Sequence, residues 1–287
     1  MAFIAIIFFL ACCYRNTAAP EISSAVRTDR IISASPSNTE IIIGLGMGGS
    51  LIAVDKYSGN IPGVPEGLIE IDFFYPDTEA IISLAPDMIV VNEINSFGVA
   101  DNPFKLLGDL GIKIVQVSTS NSIEGICGDI IQIAAALDVK DRGEALVHSM
   151  QEEIAEFKTA FENRPGTNNK VYFEISSIPT MVTFGQDVYL NEMIEIAGGK
   201  NIFTDQKGWF SASEEEIINR NPDYIFVLAY HGSDYVTDIT SRSNFQNMTA
   251  VKEGRVFPID EDSAARPSQN IMKALREMAR IIAGGTG

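Results

Sequence analysis

The sequence predicts an α/β protein with two Rossmann-like lobes, each built on a parallel sheet, joined by a single long helix. Three observations predict this fold class. Apolar strands alternate with helices along the chain, two segments repeat without a gap, and a long helical stretch separates the repeats. Strands that alternate with helices form parallel sheets, because each helix returns the chain to the start of the next strand. A cleft between two such lobes is the natural place for a ligand.

The composition is that of an ordinary globular chain, and it disfavours several classes of function. Of the 287 residues, 46% are hydrophobic and 21% are charged. The net charge of −17 repels phosphate backbones, so we expect no nucleic-acid partner. The two histidines and three cysteines are too few for a metal site with several histidine or cysteine ligands. We therefore expect no metal site built from protein ligands and no resident cofactor.

The N-terminus is typical of an exported protein. The run "MAFIAIIFFLA" is almost purely apolar, is too short to span a bilayer and ends at Cys12 and Cys13. We expect residues 1–13 to be a signal peptide and residues 14–28 a flexible tether. The "LACC" ending is similar to a bacterial lipoprotein cleavage box, which predicts lipidation of Cys12 or Cys13 and a membrane-anchored, extracytoplasmic location. An ordinary cleaved signal peptide with incidental cysteines is the alternative.

The first lobe is expected over residues 29–121. Its predicted strands are "RIISAS", "LIAVD", "DMIVV" and "KIVQVS", which are rich in β-branched residues. After the first strand, Ser37 or Asn38 can cap the helix "TEIIIGLG", and Glu40 lies near its positive end. The exposed strand end "SASPSNTE" lies beyond the carboxyl end of a strand, where the ligands of open α/β sheets bind.

The first helix ends in a glycine pattern, G-x-G-x-x-G, at Gly44, Gly46 and Gly49. A dinucleotide site needs a strand, then the glycines, then a helix. Here the glycines follow a helix and precede a strand, which is the reverse order. We expect Gly44, Gly46 and Gly48 to be helix-end and turn residues with positive φ.

The chain contains an internal repeat. Residues 78–91, "TEAIISLAPDMIVV", align without a gap with residues 214–227, "EEEIINRNPDYIFV". Glu79 aligns with Glu215, and each segment predicts a short helix, a Pro-Asp turn that ends it, and a strand. A weaker similarity relates "NTEIIIGLGMGG" to "LNEMIEIAGGKN", two helices that end in glycines.

The repeats are separated by residues 122–168, which we expect to contain the linking helix. This region is helical from about Ser122 to Phe161 and ends in the linker "ENRPGTNNK". The second lobe is expected over residues 169–287, with strands at "KVYFEI", "YIFVLA" and "RVFPID". Helices again alternate with these strands.

The ordered set of motifs resembles the substrate-binding proteins of ABC importers for vitamin B12 and iron chelates. The segments that carry the resemblance span about Arg30 to Ile282 and include "RIISASPSNTEIIIGLGMGGSLIAVDKYS", "PDTEAIISLAPDMIVV", "YLNEMIEIAGGKNIF", "GWFSASEEEIINRNPDYIFV" and "DSAARPSQNIMKALREMA". The resemblance implies a monomer with small opening motions, capture of cobalamin or an iron chelate, delivery to a membrane permease, and no catalysis. A haem receptor of the same family is the alternative.

In this family a glutamate on each lobe docks into arginine pockets of the permease, and Glu79 and Glu215 match those positions. A carboxylate in the first turn of a helix is held outward, where it can meet a guanidinium. The alternative is a first-turn acid that only complements the helix dipole. Equivalent positions in the two repeats favour docking, because paired charges orient a partner.

Aromatic residues in loops are candidates for contacts with the ligand. They precede the two docking helices or follow the second strand, and flat apolar rings suit a corrinoid, a porphyrin or a chelate. The alternative is packing of each ring against its own lobe. The candidates are Tyr57, Phe73, Phe74, Tyr75, Trp209 and Phe210.

Three further residues are candidates in the second lobe. Arg266 lies in a loop that faces the cleft in the family, where it can pair with a carboxylate, phosphate or catecholate; a salt bridge to Asp260 or Asp262 is the alternative. His231 could ligate cobalt or haem iron, and Tyr230, like Tyr75, could ligate haem iron. A solvated surface group is the alternative for His231.

Two other classes of function compete with a binding protein. A nucleotide-dependent enzyme on Rossmann-like lobes would need the glycine pattern at a strand-to-helix turn, and hydrolytic catalysis would need a nucleophile elbow, which the sequence lacks. A zinc or manganese receptor would need several histidines. Among binding functions, Arg266 is the one well-placed cation, with Lys56 and Lys207 as helpers, which favours a weakly charged ligand such as cobalamin.

Overall fold

A computed structural model describes residues 30–93, 103–162, 169–229 and 234–284. The expected signal peptide and tether, with Cys12 and Cys13, lie outside the described residues, as do Tyr230 and His231. In the described part of the chain, no helix is both long and apolar enough to cross a membrane.

The first lobe has a five-stranded parallel sheet in the order β3-β2-β1-β4-β5. The predicted strands of this lobe are confirmed, and β3 is an additional short strand at the edge. The strands are β1 (Ile31–Ser33), β2 (Leu51–Asp55), β3 (Ile69–Ile71), β4 (Met88–Asn92) and β5 (Lys113–Val117). The helices of this lobe are α1 (Pro36–Gly44), α2 (Thr78–Ser83) and α3 (Pro103–Asp109).

The second lobe has a four-stranded parallel sheet in the order β11-β10-β6-β8, with a separate antiparallel ribbon of β7 and β9. The sequence analysis did not predict β7, β8 or β9, each of which has three residues. The strands are β6 (Asn169–Glu174), β7 (Val182–Phe184), β8 (Gly199–Asn201), β9 (Trp209–Ser211), β10 (Tyr224–Ala229) and β11 (Val256–Asp260). The helices are α6 (Tyr189–Ile196), α7 (Glu214–Arg220), α8 (Tyr235–Ser241), α9 (Thr249–Lys252), α10 (Glu261–Ala265) and α11 (Ile271–Ile282).

The helical region between the sheets consists of two helices rather than one continuous stretch. The first is α4 (Ile123–Ala136) and the second is α5 (Lys140–Glu162), and the two are separated by a turn in which Asp138 has a φ of 59°. The linking helix is α5, whose 23 residues give it a length of about 34 Å. It packs against both α4 and α6, one helix from each side of the molecule.

The internal repeat is visible in the strand contacts as well as in the element order. The backbone N–H of Arg30, just before β1, donates to Asp87 Oδ2 at 3.1 Å. The backbone N–H of Lys170, in β6, donates to Asp223 Oδ2 at 2.8 Å. Both aspartates belong to the repeated Pro-Asp turns. The aspartate of each turn therefore secures the beginning of the neighbouring central strand, in addition to the helix-ending role of the proline.

Two expectations about α1 were wrong in detail. The helix cap is Ser35, whose side chain accepts from the backbone N–H of Asn38, and Ser37 lies inside the helix. Proline favours the first turn of a helix, and α1 begins at Pro36, three residues before the start of the expected helix "TEIIIGLG" at Thr39. Of the glycines expected at positive φ, only Gly46 has it, at 74°; Gly44 is the last helical residue and Gly48 opens a 3₁₀ turn.

One apolar core runs through both lobes. It joins buried side chains of the first sheet, such as Ile31 and Val90, to side chains of the second sheet, such as Phe173 and Phe226. The side chains between them come from α1, α4, α5, α6 and α11. One smaller apolar cluster covers the outer face of each of the two sheets. The lobes are thus continuous in packing through the layer of helices behind the cleft.

The second lobe also contains a buried ionic network around Arg242. Its guanidinium donates to both carboxylate oxygens of Glu174 at 2.9 and 2.7 Å, to Ser177 Oγ at 2.7 Å and to Asp238 Oδ2 at 2.5 Å. The side chains of Arg242 and Glu174 are 5% and 3% exposed. The network ties α8 and the loop after β6 to the end of β6.

We predict that Arg242→Met lowers the free energy of unfolding by about 3–5 kcal/mol, because it leaves the buried Glu174 carboxylate without its cation. Urea denaturation measures the change. Arg255→Met is the control, since Arg255 forms a 2.8 Å pair with Glu253 in which both side chains are at least 40% exposed, and its loss should cost about 1 kcal/mol or less. Equal losses for the two variants would contradict the role of burial.

Candidate ligand-binding cleft

The candidate site lies at the carboxyl ends of the central strands. In the first sheet, the strand order reverses on either side of β1, which makes the end of β1 the topological switch point where open α/β sheets bind ligands. The loops that follow β1, β2 and β3 carry Ser35, Tyr57 and Phe74 to this edge. In the second lobe, α10 and Arg266 follow the carboxyl end of β11.

An apolar cavity of 150 Å³ lies at the switch point of the first lobe. Tyr57 and Phe74 line it, and both rings are 61% exposed. The Lys56 ammonium lies 5.1 Å from the centroid of the Tyr57 ring and 5.7 Å from that of Phe74, and it pairs with Asp72 at 2.7 Å. The lysine thus associates with both rings while its charge is balanced by the aspartate.

A buried network of hydroxyl groups lies beside this cavity. Thr39 Oγ1 lies within hydrogen-bond distance of Ser33 Oγ, at 2.8 Å, and of Ser58 Oγ, at 3.2 Å. Ser58 in turn donates to the Asp55 carboxylate, which is 4% exposed. Burial raises the pKa of Asp55, and the hydrogen bond from Ser58 opposes that increase. The network fixes the loop that carries Tyr57, whose backbone N–H donates to Asp55 Oδ1 at 2.9 Å.

A larger cavity of 370 Å³ lies between the lobes. From the first lobe it is bordered by Glu40, Ile61 and Pro62, and from the second by the segment from Asp260 to Lys273. Arg266 borders this cavity. Its guanidinium pairs with Asp262 at 2.6 Å, as the salt-bridge alternative predicted, and also with Glu40 of the other lobe at 3.1 Å.

Glu40 makes contacts between the lobes that the sequence analysis did not predict. Its carboxylate is 3% exposed. One oxygen accepts from Arg266, the other accepts from the Ser268 hydroxyl, and the Glu40 carbonyl accepts from Gln269 Nε2 at 2.8 Å. All three donors lie in the loop between α10 and α11. The only sequence signal was an acidic residue within the otherwise apolar helix "TEIIIGLG".

Glu192 is the counterpart of Glu40 in the second repeat and reaches α4, the helix that packs on α1 and β5 of the first lobe. When "NTEIIIGLGMGG" is aligned with "LNEMIEIAGGKN", Glu40 falls on Glu192. Glu192 Oε1 accepts from the backbone N–H of Ile123, at the start of α4, at 3.3 Å. Partial burial raises the pKa of Glu192. Glu192 makes no ion pair with another described residue, so the two equivalent contacts differ in charge.

The other aromatic candidates occupy different environments. Tyr75 is 87% exposed and Trp209 is 46% exposed, and the Trp209 ring packs edge-on against the buried Phe184 at 5.6 Å. Trp209 lines neither of the two cavities. Phe210 lies on the opposite face of β9 and packs edge-on against Phe203 at 5.1 Å, within the core of its own lobe.

Phe73 differs from its neighbour Phe74. It is 4% exposed, belongs to the apolar cluster of the first lobe, and stacks on Phe104 with the ring centroids 6.2 Å apart. It reaches the small cavity only as part of its wall. The alternative of packing against its own lobe therefore describes Phe73, whereas Phe74 presents its ring to the cavity and to solvent.

Glu79 and Glu215 both lie exposed in the first turn of their helices, α2 and α7. Asp77 caps α2 by accepting from the backbone N–H groups of Glu79 and Ala80, and a capping box of Ser213 and Glu216 begins α7. The caps leave both carboxylates free of the helix ends, and neither forms an ion pair with another described residue.

The ligation roles expected for Tyr230 and His231 lie outside the described residues. Within the ranges that the structure describes, no group of three or more histidine, cysteine, aspartate or glutamate side chains is arranged to hold a metal ion.

We predict that Phe73→Ala lowers the free energy of unfolding by about 3–5 kcal/mol, because it opens a cavity in the core of the first lobe. Phe74→Ala, one residue later, removes a ring that is 61% exposed, and we expect it to change stability by about 0.5 kcal/mol or less. Thermal or urea unfolding of the two variants provides the measurement. Similar stabilities would show that Phe73 is not a core residue.

Comparison with known proteins gives consistent matches over the described chain. An "Uncharacterized ABC transporter substrate-binding lipoprotein" of Bacillus subtilis, YvrC, is 29% identical over 257 residues, which is 88% of this chain and 79% of the relative. A vitamin B12-binding protein of Vibrio cholerae is 23% identical over 281 residues, covering 96% of this chain and 97% of the relative.

A solved structure from Staphylococcus epidermidis, described as a possible iron-binding (periplasmic solute-binding) protein, superposes with a TM-score of 0.78. It is 31% identical in sequence, and the match covers 89% of this chain and 99% of that one. The pattern of the periplasmic binding protein family matches residues 31–263, which include both sheets and the linking helix. The chain therefore belongs to the periplasmic binding protein family.

Proposed function

We propose that this protein is an extracytoplasmic substrate-binding protein of an ABC importer, and that it captures cobalamin or an iron chelate between its lobes. Two observations carry the proposal: the exposed rings of Tyr57 and Phe74 line a cavity at the switch point of the first lobe, and Arg266 borders a second cavity between the lobes. Apolar rings beside a few polar groups suit a bulky ligand with both kinds of surface. The names of the relatives, which include a vitamin B12-binding protein and an ABC transporter lipoprotein, support the same class.

The charges of the cleft favour a ligand with little net charge. Lys56 pairs with Asp72, Lys207 pairs with Asp187 at 3.1 Å, and Arg266 pairs with two carboxylates. Lys273, exposed on α11, is the cation at the larger cavity without an ion pair to another described residue. Such a site supports cobalamin, or a neutral chelate, over a ligand with several negative charges.

Delivery requires contact with the permease, and in this proposal Glu79 and Glu215 make it. They occupy equivalent positions of the two repeats, are exposed, and begin helices on separate lobes. Two carboxylates on one rigid body define an orientation as well as an attraction. Residues 1–13 would direct export, and the tether of residues 14–28 would hold the lobes near the membrane through a lipid on Cys12 or Cys13.

Calorimetric titration of the purified protein tests the ligand class. We expect binding of cyanocobalamin, which is electrically neutral overall, with a Kd in the micromolar range or below, because it can cover the exposed rings without displacing the paired carboxylates. Haem and ferric enterobactin are titrated in parallel. Tight binding of haem alone would replace the ligand in this proposal, and no binding of any of the three would contradict it.

We predict that the double variant Glu79→Ala/Glu215→Ala abolishes ligand uptake by cells while the affinity for the ligand is unchanged, because both carboxylates lie outside the two cavities. Uptake of radiolabelled ligand and titration of the purified variant give the two measurements. The double variant Glu152→Ala/Glu156→Ala changes the net charge equally on the exposed face of α5 and serves as the control. A parallel loss of ligand binding would reject the docking role.

A further inference from the structure

The guanidinium of Arg266 is held between two carboxylates that come from different lobes. Nη1 lies 3.1 Å from Glu40 Oε1 of α1, and Nη2 lies 2.6 Å from Asp262 Oδ1 of α10. The side chain is 21% exposed and borders the interlobe cavity. Asp55 is a third acidic group on the side of the first lobe: burial raises its pKa, and the charge of Arg266 partly offsets that increase.

An arginine in this state is a poor receptor for an anion. A free guanidinium attracts a carboxylate, phosphate or catecholate by charge and by paired N–H donors. Here Nη1 already donates to Glu40 and Nη2 is ion-paired with Asp262, so an incoming anion would have to approach both carboxylates closely. Little screening is available next to Glu40, which is 3% exposed. A neutral carbonyl or hydroxyl oxygen can accept the remaining N–H without that repulsion.

We propose that Glu40 is a specificity-determining residue that acts through Arg266: by neutralising and holding the guanidinium, it makes the cleft select uncharged ligands and reject anionic chelates. This inference rests on the proposed function and adds the reason for the ligand preference. Glu40 does not need to touch the ligand, because its effect is on the charge and the orientation of Arg266.

The internal repeat indicates that the Glu40–Arg266 ion pair is not needed merely to hold the lobes together. Glu192, the counterpart of Glu40, connects the lobes with one hydrogen bond to the backbone N–H of Ile123 at 3.3 Å. No arginine faces Glu192 in an ion pair among the described residues. The repeat therefore uses the same acid for lobe contact on both sides, and adds an arginine only on the side where the acid borders the interlobe cavity.

The test compares cyanocobalamin with trianionic ferric enterobactin in wild type, Glu40→Gln and Glu192→Gln. Glutamine removes the negative charge, keeps one acceptor oxygen for Arg266 and places an amide N–H group where it can donate to the Ser268 hydroxyl. We expect Glu40→Gln to raise the ratio of enterobactin affinity to cobalamin affinity about tenfold, which corresponds to ~1.4 kcal/mol. Glu192→Gln perturbs the equivalent lobe contact, so its ratio should stay within about twofold of wild type if ordinary mutational scatter is the only effect.

A purely structural role for Glu40 would lower both affinities equally and leave the ratio unchanged, and that result would overturn the inference. If Glu40→Gln does not fold, Asp262→Asn removes the other carboxylate, which is 42% exposed; an increase of about threefold is expected because solvent screens this partner more strongly, and no increase would overturn the inference. Failure of the wild-type protein to bind either probe would instead contradict the proposed function, and this inference with it.

Discussion

A layer of helices packs between the two sheets, and its apolar core is the constraint on which the rest of the structure depends. The side chains of α4, α5, α6 and α11 fill the space behind the cleft and join the first sheet to the second without a break. Because close-packed interiors resist deformation, the two cavity walls are held at nearly constant separation. In the proposed function, a ligand therefore meets a preformed cleft, and Glu79 and Glu215, the glutamates that we propose for docking, stay at a defined distance from one another.

The glycines that resemble a dinucleotide motif belong to this constraint. Gly46 ends α1 with a φ of 74°, where Arg142, near the start of α5, donates to the Leu45 carbonyl at 3.1 Å. Its counterpart Gly198 ends α6 with a φ of 82°, and a Cβ there would lie 2.4 Å from the Phe161 ring, near the end of α5. The two ends of the linking helix therefore dock on equivalent helix ends of the two lobes. The repeat needs glycine for backbone conformation and close approach.

Polar contacts at the edge of this core then set the chemistry of the cleft. Glu40 and Glu192 are related by the repeat and each reaches the opposite lobe, but only Glu40 meets an arginine. An ion pair buried between lobes is costly unless every partner is satisfied, and the hydroxyl of Ser268 supplies the remaining contact. The same pairing that satisfies the buried Glu40 removes the charge that Arg266 would otherwise offer to a ligand. In our proposal, Glu40 therefore contributes both to the packing of the lobes and to the preference for uncharged ligands.

The sequence alone determined the fold class, seven of the eleven strands described, the duplicated halves and the positions of Glu79 and Glu215, because each of these is evident from local periodicity or from aligned segments. Only the tertiary structure decided which aromatic side chains are exposed and which are packed in the core. Phe73 and Phe74 are identical neighbours, and their opposite burial depends on where the loop after β3 turns. It also decided the partner of Arg266, since Glu40 lies 226 positions away and no local pattern encodes that separation. Contacts between lobes arise from the docking of whole helices, so their chemistry appears only when the chain is folded.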